Sequence, residues 1–191
     1  MAILLKGNWK KGWAFDEHTV SSALVGVDGA GRNRFETTRT EMGELVYQLK
    51  YGGKESAVRK IVKLLDSFRN IEKFDFLVPI PQTKRRAIKP VLLIAEALGK
   101  RRGVAVASGR LTNRGSKELK EVSDPVARFE LLEEALELDT SGNVFAGKKV
   151  LLLDDLYRSG ATLQVATSLL YNQGKASEVC VLAMTKTRST R

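Results

Sequence analysis

A chain of 191 residues, 43% of them apolar, can bury one real core, which argues against wholesale disorder and for one domain, with or without a small appendage. Its net charge of +10, from 32 basic and 22 acidic residues, calls for anionic partners, either nucleotides and sugar phosphates or nucleic acid. No apolar run approaches the ~18–20 residues of a membrane span, and the opening Met1–Lys11 turns polar too soon for a signal peptide. A single cysteine, Cys180, can form neither an internal disulfide nor a cysteine-based zinc site, so a reducing, cytoplasmic setting is expected.

In chain order, Trp13 to Val27 mixes apolar and polar residues as a strand does. Asp28-Gly29-Ala30-Gly31 is a turn signal, and Arg34 to Thr38 returns as a second strand. The pair predicts a β-hairpin lying over the core. His18, the lone histidine, has no neighbouring motif that would make it a base and is read as structural. Thr38 or Thr40 caps a helix to about Lys50, Thr38 and Glu41 having capping-box spacing, and Gly52-Gly53 ends it. A second amphipathic helix is expected over Ser56 to Arg69, with Val58, Ile61, Val62 and Leu65 inward. Phe74 to Pro81 is a short strand closed by two prolines, because proline cannot donate to a sheet ladder. The loop that follows carries Lys84, Arg85 and Arg86, and a helix starts near Pro90 and stops at Gly103.

Val104 to Ala107 is the next short strand. Ser108 to Ser123 reads as a long polar loop rich in Gly, Ser and Thr, with Arg110, Arg114, Lys117 and Lys120. Asp124-Pro125 opens a helix to about Leu138, and Thr140 to Asn143 is a turn. Glu178 to Ala183 is a last buried strand, preceded by a helix from about Thr162 to Asn172 with Gly174 as its C-cap. This alternation of strands and helices predicts an α/β fold with a mostly parallel sheet.

The stretch Val150-Leu151-Leu152-Leu153-Asp154-Asp155-Leu156-Tyr157-Arg158-Ser159-Gly160-Ala161-Thr162 carries the chemistry. Four apolar residues in a row suit a strand covered on both faces. Two carboxylates fall at its end, where open α/β sheets bind ligands. The small-residue turn Ser159–Thr162 can aim backbone N–H groups and a helix N-terminus at one anion, which suits phosphate. Two acceptor-only carboxylates suit the vicinal hydroxyls of a sugar. A ribose 5-phosphate would use both halves.

This segment resembles the phosphoribosyl-pyrophosphate (PRPP) motif of type I phosphoribosyltransferases, with Arg158 where those proteins usually carry Thr or Ser. Together with Tyr51-Gly52-Gly53-Lys54, Val78-Pro79-Ile80-Pro81 and the basic loop, it narrows the resemblance to the competence-associated ComF-like group, over about residues 45 to 185. Two features depart from that group. Its four-cysteine zinc module has no counterpart here, and Arg86-Ala87-Ile88-Lys89-Pro90 replaces the usual Arg-Gly-Phe-Asn-Gln.

The resemblance implies the type I phosphoribosyltransferase fold, residues 1–55 forming an N-terminal hairpin hood and first helix and 56–191 the PRPP-binding core. It implies Asp154 and Asp155 on the ribose as the catalytic acids, touching Mg2+ only through the substrate. It gives the 5-phosphate to Arg158, Ser159, Gly160, Ala161 and Thr162, and the diphosphate to Lys84 and Arg85. It places Arg110, Arg114 and Lys117 on a flexible loop that closes over PRPP, and Lys186 near the acceptor. The activity implied is transfer of ribosyl 5-phosphate from PRPP to a nitrogen acceptor with release of diphosphate. The alternative is a non-catalytic PRPP or nucleotide sensor, or a DNA-uptake accessory that touches DNA or competence proteins. A homodimer is compatible with either, and no membrane role is expected.

Overall fold

In a computed structural model the chain is described over residues 2–82, 88–115 and 124–188. Its centre is a six-stranded sheet in the order β1 (Ile3–Leu5), β2 (Lys11–Glu17), β10 (Glu178–Lys186), β9 (Lys149–Tyr157), β5 (Phe76–Pro79), β6 (Ala105–Val106). Every neighbouring pair is parallel except β1 with β2. The mostly parallel sheet flanked by helices is therefore what the alternating pattern foretold.

Because strand side chains alternate between faces, the apolar run of β9 divides between two cores. Leu151 and Leu153 point to one side. There they join Met42, Leu45, Ile61, Leu77 and Ile94, contributed in part by α1 (Glu41–Gly52), α2 (Ser56–Leu64) and α3 (Pro90–Arg102). Val150 and Leu152 point to the other, against Leu163, Ala166 and Leu170 of α5 (Ala161–Asn172). Each such buried Leu or Val contributes roughly 1.5–3 kcal/mol relative to exposure, and the charged residues of β9 stand only at its ends, Lys149 before the apolar run and Asp154 and Asp155 after it. α4 (Pro125–Ala135) lies on α5 through Leu132 and Val165.

Several expected boundaries move. The stretch Trp13–Val27 is two strands, because its first part joins the central sheet as β2 and its second, β3 (Thr19–Val27), leaves it after His18. β3 pairs with β4 (Asn33–Arg39) as the expected hairpin, but both strands are mostly exposed, so it stands off the core instead of covering it. Thr38 lies inside β4. Thr40 is the cap of α1, its Oγ1 accepting from Gly43 N–H at 3.0 Å and donating to the Glu17 carbonyl at 2.6 Å. The second helix ends at Leu64 and tightens into a 3-10 turn over Leu65–Ser67.

The polar stretch after Ala107 contains a strand, β7 (Leu111–Asn113), paired antiparallel with β8 (Leu136–Leu138). That pairing also takes the expected last turn of α4. Gly174 is not the left-handed cap. A β-carbon there would sit 2.8 Å from the Leu170 carbonyl, while Lys175 takes the positive φ of 54°. β10 runs three residues past Ala183, burying Met184 and Thr185.

Candidate functional site

The carboxyl ends of β2, β10, β9 and β5 share one edge of the sheet. There β9 passes into a turn at Arg158–Gly160 and then into α5. Gly160 is the N-cap, at φ 78°, a left-handed conformation that costs glycine nothing. A second reason excludes other residues: a β-carbon would lie 2.6 Å from the Tyr157 ring. Tyr157 is in turn held edge-on by Trp9, with ring centroids 6.5 Å apart. Trp9 fits because Gly7 and Gly12 leave room for its indole. Its Nε1 donates to the Leu5 carbonyl at 3.1 Å. The turn thus rests on an edge-to-face pair of aromatic rings.

Gly160 has no side chain with which to cap α5, so the positive end of the helix is left facing outward. The Ala161 N–H reaches Ser159 Oγ only at 3.4 Å. A hollow of about 80 Å³ opens at this point, lined by Asp154 and by every residue from Leu156 to Leu163. It has the size of a phosphate group rather than of a whole nucleotide. All five residues expected at the 5-phosphate, Arg158 to Thr162, line it.

The two carboxylates do not share this hollow. Alternation along β9 sends Asp154 to the α5 side and Asp155 to the α1 side. Asp154 Oδ1 accepts from the Asp155 N–H at 2.8 Å. Burial, and secondly the neighbouring Asp155, raise its carboxyl from the ordinary 3.8 to about 7. Asp155 is buried, 8% exposed, and its Oδ2 meets Lys50 Nζ of α1 at 2.6 Å. The Asp155 backbone carbonyl accepts from Thr185 Oγ1 at 3.0 Å, and that hydroxyl also meets His18 Nδ1 at 3.1 Å. Burial first, then the charge of Arg39, lower the pKa of His18, which favours a neutral imidazole.

Lys50, His18 and Thr185 were not singled out as site residues from sequence. The signal in the chain is faint: Lys50 looks like any basic residue in the last turn of a helix, and His18 like a structural histidine within an expected strand. Lys186 ends β10, in register with Tyr157, and its carbonyl accepts from the His18 N–H at 2.8 Å. Arg110 binds Asp139 Oδ2 at 2.7 Å and Ser141, and Arg114 pairs with Glu137 at 2.9 Å, so both are engaged by β8 and the turn after it. Lys84, Arg85 and Lys117 lie outside the described residues. Among the described residues, no group of three or more His, Cys, Asp or Glu is placed to hold a metal ion, and no helix is long and apolar enough to cross a membrane.

No family model matches the chain. It is similar to the competence protein ComFC of Bacillus subtilis (strain 168). The two are 34% identical over 112 residues, 56% of this chain and 43% of that protein, so this chain spans less than half the length of its relative. The ComF-like resemblance read from the motifs is matched by this similarity. Among solved structures, the adenine phosphoribosyltransferase of Thermoanaerobacter pseudethanolicus superposes over 88% of this chain and 95% of its own, with a TM-score of 0.48 and 16% identity. That of Saccharomyces cerevisiae superposes over 87% of this chain and 85% of its own, with a TM-score of 0.46 and 15% identity.

Proposed function

We propose that this protein binds PRPP at the carboxyl edge of its sheet and transfers the ribosyl 5-phosphate group to a nitrogen acceptor, releasing diphosphate. The observation that carries the proposal is the hollow between Asp154 and the uncapped start of α5. In this reading the amides of the turn and of the first turn of α5, with the hydroxyls of Ser159 and Thr162, hold the 5-phosphate. Asp154 accepts from a sugar hydroxyl. Asp155, fixed by Lys50, acts on the ribose from the other side of the strand or sets the strand end in place. Lys84, Arg85 and Lys117 meet the diphosphate, joined by Arg110 or Arg114 where their present ion pairs open, and Lys186 faces the acceptor.

The donor set fits Mg2+ carried on the substrate. A carboxyl raised to about 7 by burial and by a second acid gains from a nearby cation, and it needs no protein cage to do so. When bound, magnesium would neutralise the leaving diphosphate. The chain's own task is positioning and charge complementarity as positive charge develops on the sugar.

A second reading, a PRPP or nucleotide sensor acting in competence, is favoured by one observation: Asp155 is already occupied by Lys50, leaving a single acid on the hollow. Titration calorimetry with PRPP and Mg2+ tests binding in the wild type and in Asp154→Asn/Asp155→Asn. Unchanged affinity in the variant would end both readings. Diphosphate release in the presence of a panel of bases and amines separates them: turnover supports transfer, whereas binding without turnover supports sensing.

A further inference from the structure

The sheet has a second opening at its other end. Where β2, β9 and β10 begin, a cavity of about 450 Å³ lies between these strand starts and the segment Ser67–Phe74. That volume falls within the range of small-ligand sites, about 300–1,000 Å³, and is several times the 80 Å³ of the phosphate hollow. Its rim is basic: Lys10, Lys11, Arg69, Lys73 and Lys149 all line it and are all exposed. None of the five forms an ion pair among the described residues.

Such a cluster repels itself, and a chain of net charge +10 has no general surplus of acid with which to relieve it. One carboxylate reaches the cavity, Glu178, and it accepts from the Cys180 thiol at 3.6 Å. The deeper wall is aromatic. Trp13, Phe68 and Phe74 line it half-buried, and Trp13 and Phe68 hold each other edge-on at 5.4 Å, which fixes the wall.

We propose that this cavity is a second ligand site, distinct from the phosphate hollow, that takes a nucleoside monophosphate. Its base lies on the aromatic wall and its phosphate among the lysines of the rim. Stacking on aromatic rings tolerates any base, and the rim asks only for an anion, so the site selects the class rather than one member. The volume accommodates a base and a ribose together, which separates it from a site for phosphate alone. The site stands at the amino-terminal edge of the parallel strands, away from the edge where the chemistry of such sheets is placed. A nucleotide bound there would be a regulator or a carried product, not a reactant.

The test is titration calorimetry with AMP and UMP as probes, with tryptophan fluorescence as a second readout. Four proteins are compared: wild type, Lys10→Ala/Lys73→Ala, Ser159→Ala/Thr162→Ala, and Trp13→Phe for the fluorescence readout. Both lysines are exposed, so the first variant is expected to fold, as circular dichroism checks. AMP is expected to bind wild type and the loop variant alike. In the lysine variant it should bind at least tenfold more weakly, about tenfold being the loss of one charge-assisted contact. On binding wild type, AMP should also quench an emission that Trp13→Phe removes. PRPP binding in the lysine variant should be unchanged, which keeps this site's failure separate from that of the first.

Three results would overturn the inference. AMP binding could be lost in the loop variant alone. Inorganic phosphate could bind as tightly as AMP. Or the lysine variant could lose only a single-stranded oligonucleotide, neither mononucleotide binding at all.

Discussion

Lys50 and Asp155 are 105 positions apart in sequence and 2.6 Å apart in space, with side chains 23% and 12% exposed. Breaking a fully buried ion pair from one side costs about 3–5 kcal/mol, most of it the stranded charge. With this much exposure water recovers part of the loss, so Lys50→Met should cost about 2–3 kcal/mol. Asp155→Asn is expected to cost less, roughly 1 kcal/mol, because the freed ammonium sits on a flexible stem that can turn to solvent whereas the carboxylate on β9 cannot. The double variant strands no charge and should cost less than the sum of the singles, leaving a coupling of about 1–2 kcal/mol.

Equilibrium urea unfolding of the four proteins at pH 7 measures this, provided slopes match and the transition is two-state. In thermal scans Lys50→Met should melt roughly 5–10 °C lower, at about 2–4 °C per kcal/mol for a chain of this length. Additive costs, with coupling under about 0.5 kcal/mol, would refute the idea that α1 clamps the end of β9. Equal costs for the two single variants would refute the asymmetry.

Gly160→Ala should destabilise the protein by about 1–3 kcal/mol and abolish phosphate or PRPP binding, since the added carbon meets both a positive φ and the Tyr157 ring. Calorimetry with ribose 5-phosphate checks it, and retained binding would exclude the turn as the anion site. Thr40→Ala removes the α1 cap and its tie to Glu17 and should cost about 1–2 kcal/mol in urea unfolding, with Thr40→Ser recovering most of it. For Asp154 the sign follows from a folded pKa of about 7, raised above an ordinary 3.8. The folded state holds the proton more tightly, so this group's contribution is complete below about pH 4. It then declines as pH rises and is gone above about pH 7. Asp154→Asn should therefore gain stability over wild type between pH 4 and pH 7, by an amount on the order of 2–4 kcal/mol, and no further by pH 8. A difference between the two that stays constant with pH would exclude a titrating Asp154.

Much of this was legible because local signals and tertiary demands agree. The run Val150–Leu153 had to be a doubly covered strand, and Gly53, Pro90 and Gly103 stand at the helix boundaries where their backbone chemistry belongs. The turn before α5 could be read because glycine and small hydroxylated residues have few other uses between a strand and a helix. What could not be read depended on contacts remote in sequence. Trp13–Val27 looks continuous, and only the parallel pairing of β2 with β10 decides that its first part enters the sheet and its second leaves. β7 is invisible in a polar stretch until Leu136–Leu138 pairs with it.

The acidic pair shows the same division at the level of chemistry. As letters, Asp154 and Asp155 are interchangeable, and a ligand with two adjacent hydroxyls invites giving one to each. A strand does not present neighbours together. Its period of two puts Asp154 over the core that α5 closes and Asp155 over the core that α1 closes. From there their fates are set by what each face supplies. The α1 face supplies Lys50, so Asp155 is neutralised by an internal partner. The α5 face supplies a helix start with no cap and a hollow, so Asp154 has backbone amides and open space for partners and a proton held to about pH 7. A ligand arriving at this edge therefore meets one acid able to change its protonation and one held in a salt bridge. Any chemistry done here must use them differently, and removing each carboxylate in turn, with Asp154→Asn and Asp155→Asn in separate proteins, should give unlike losses of PRPP binding by calorimetry.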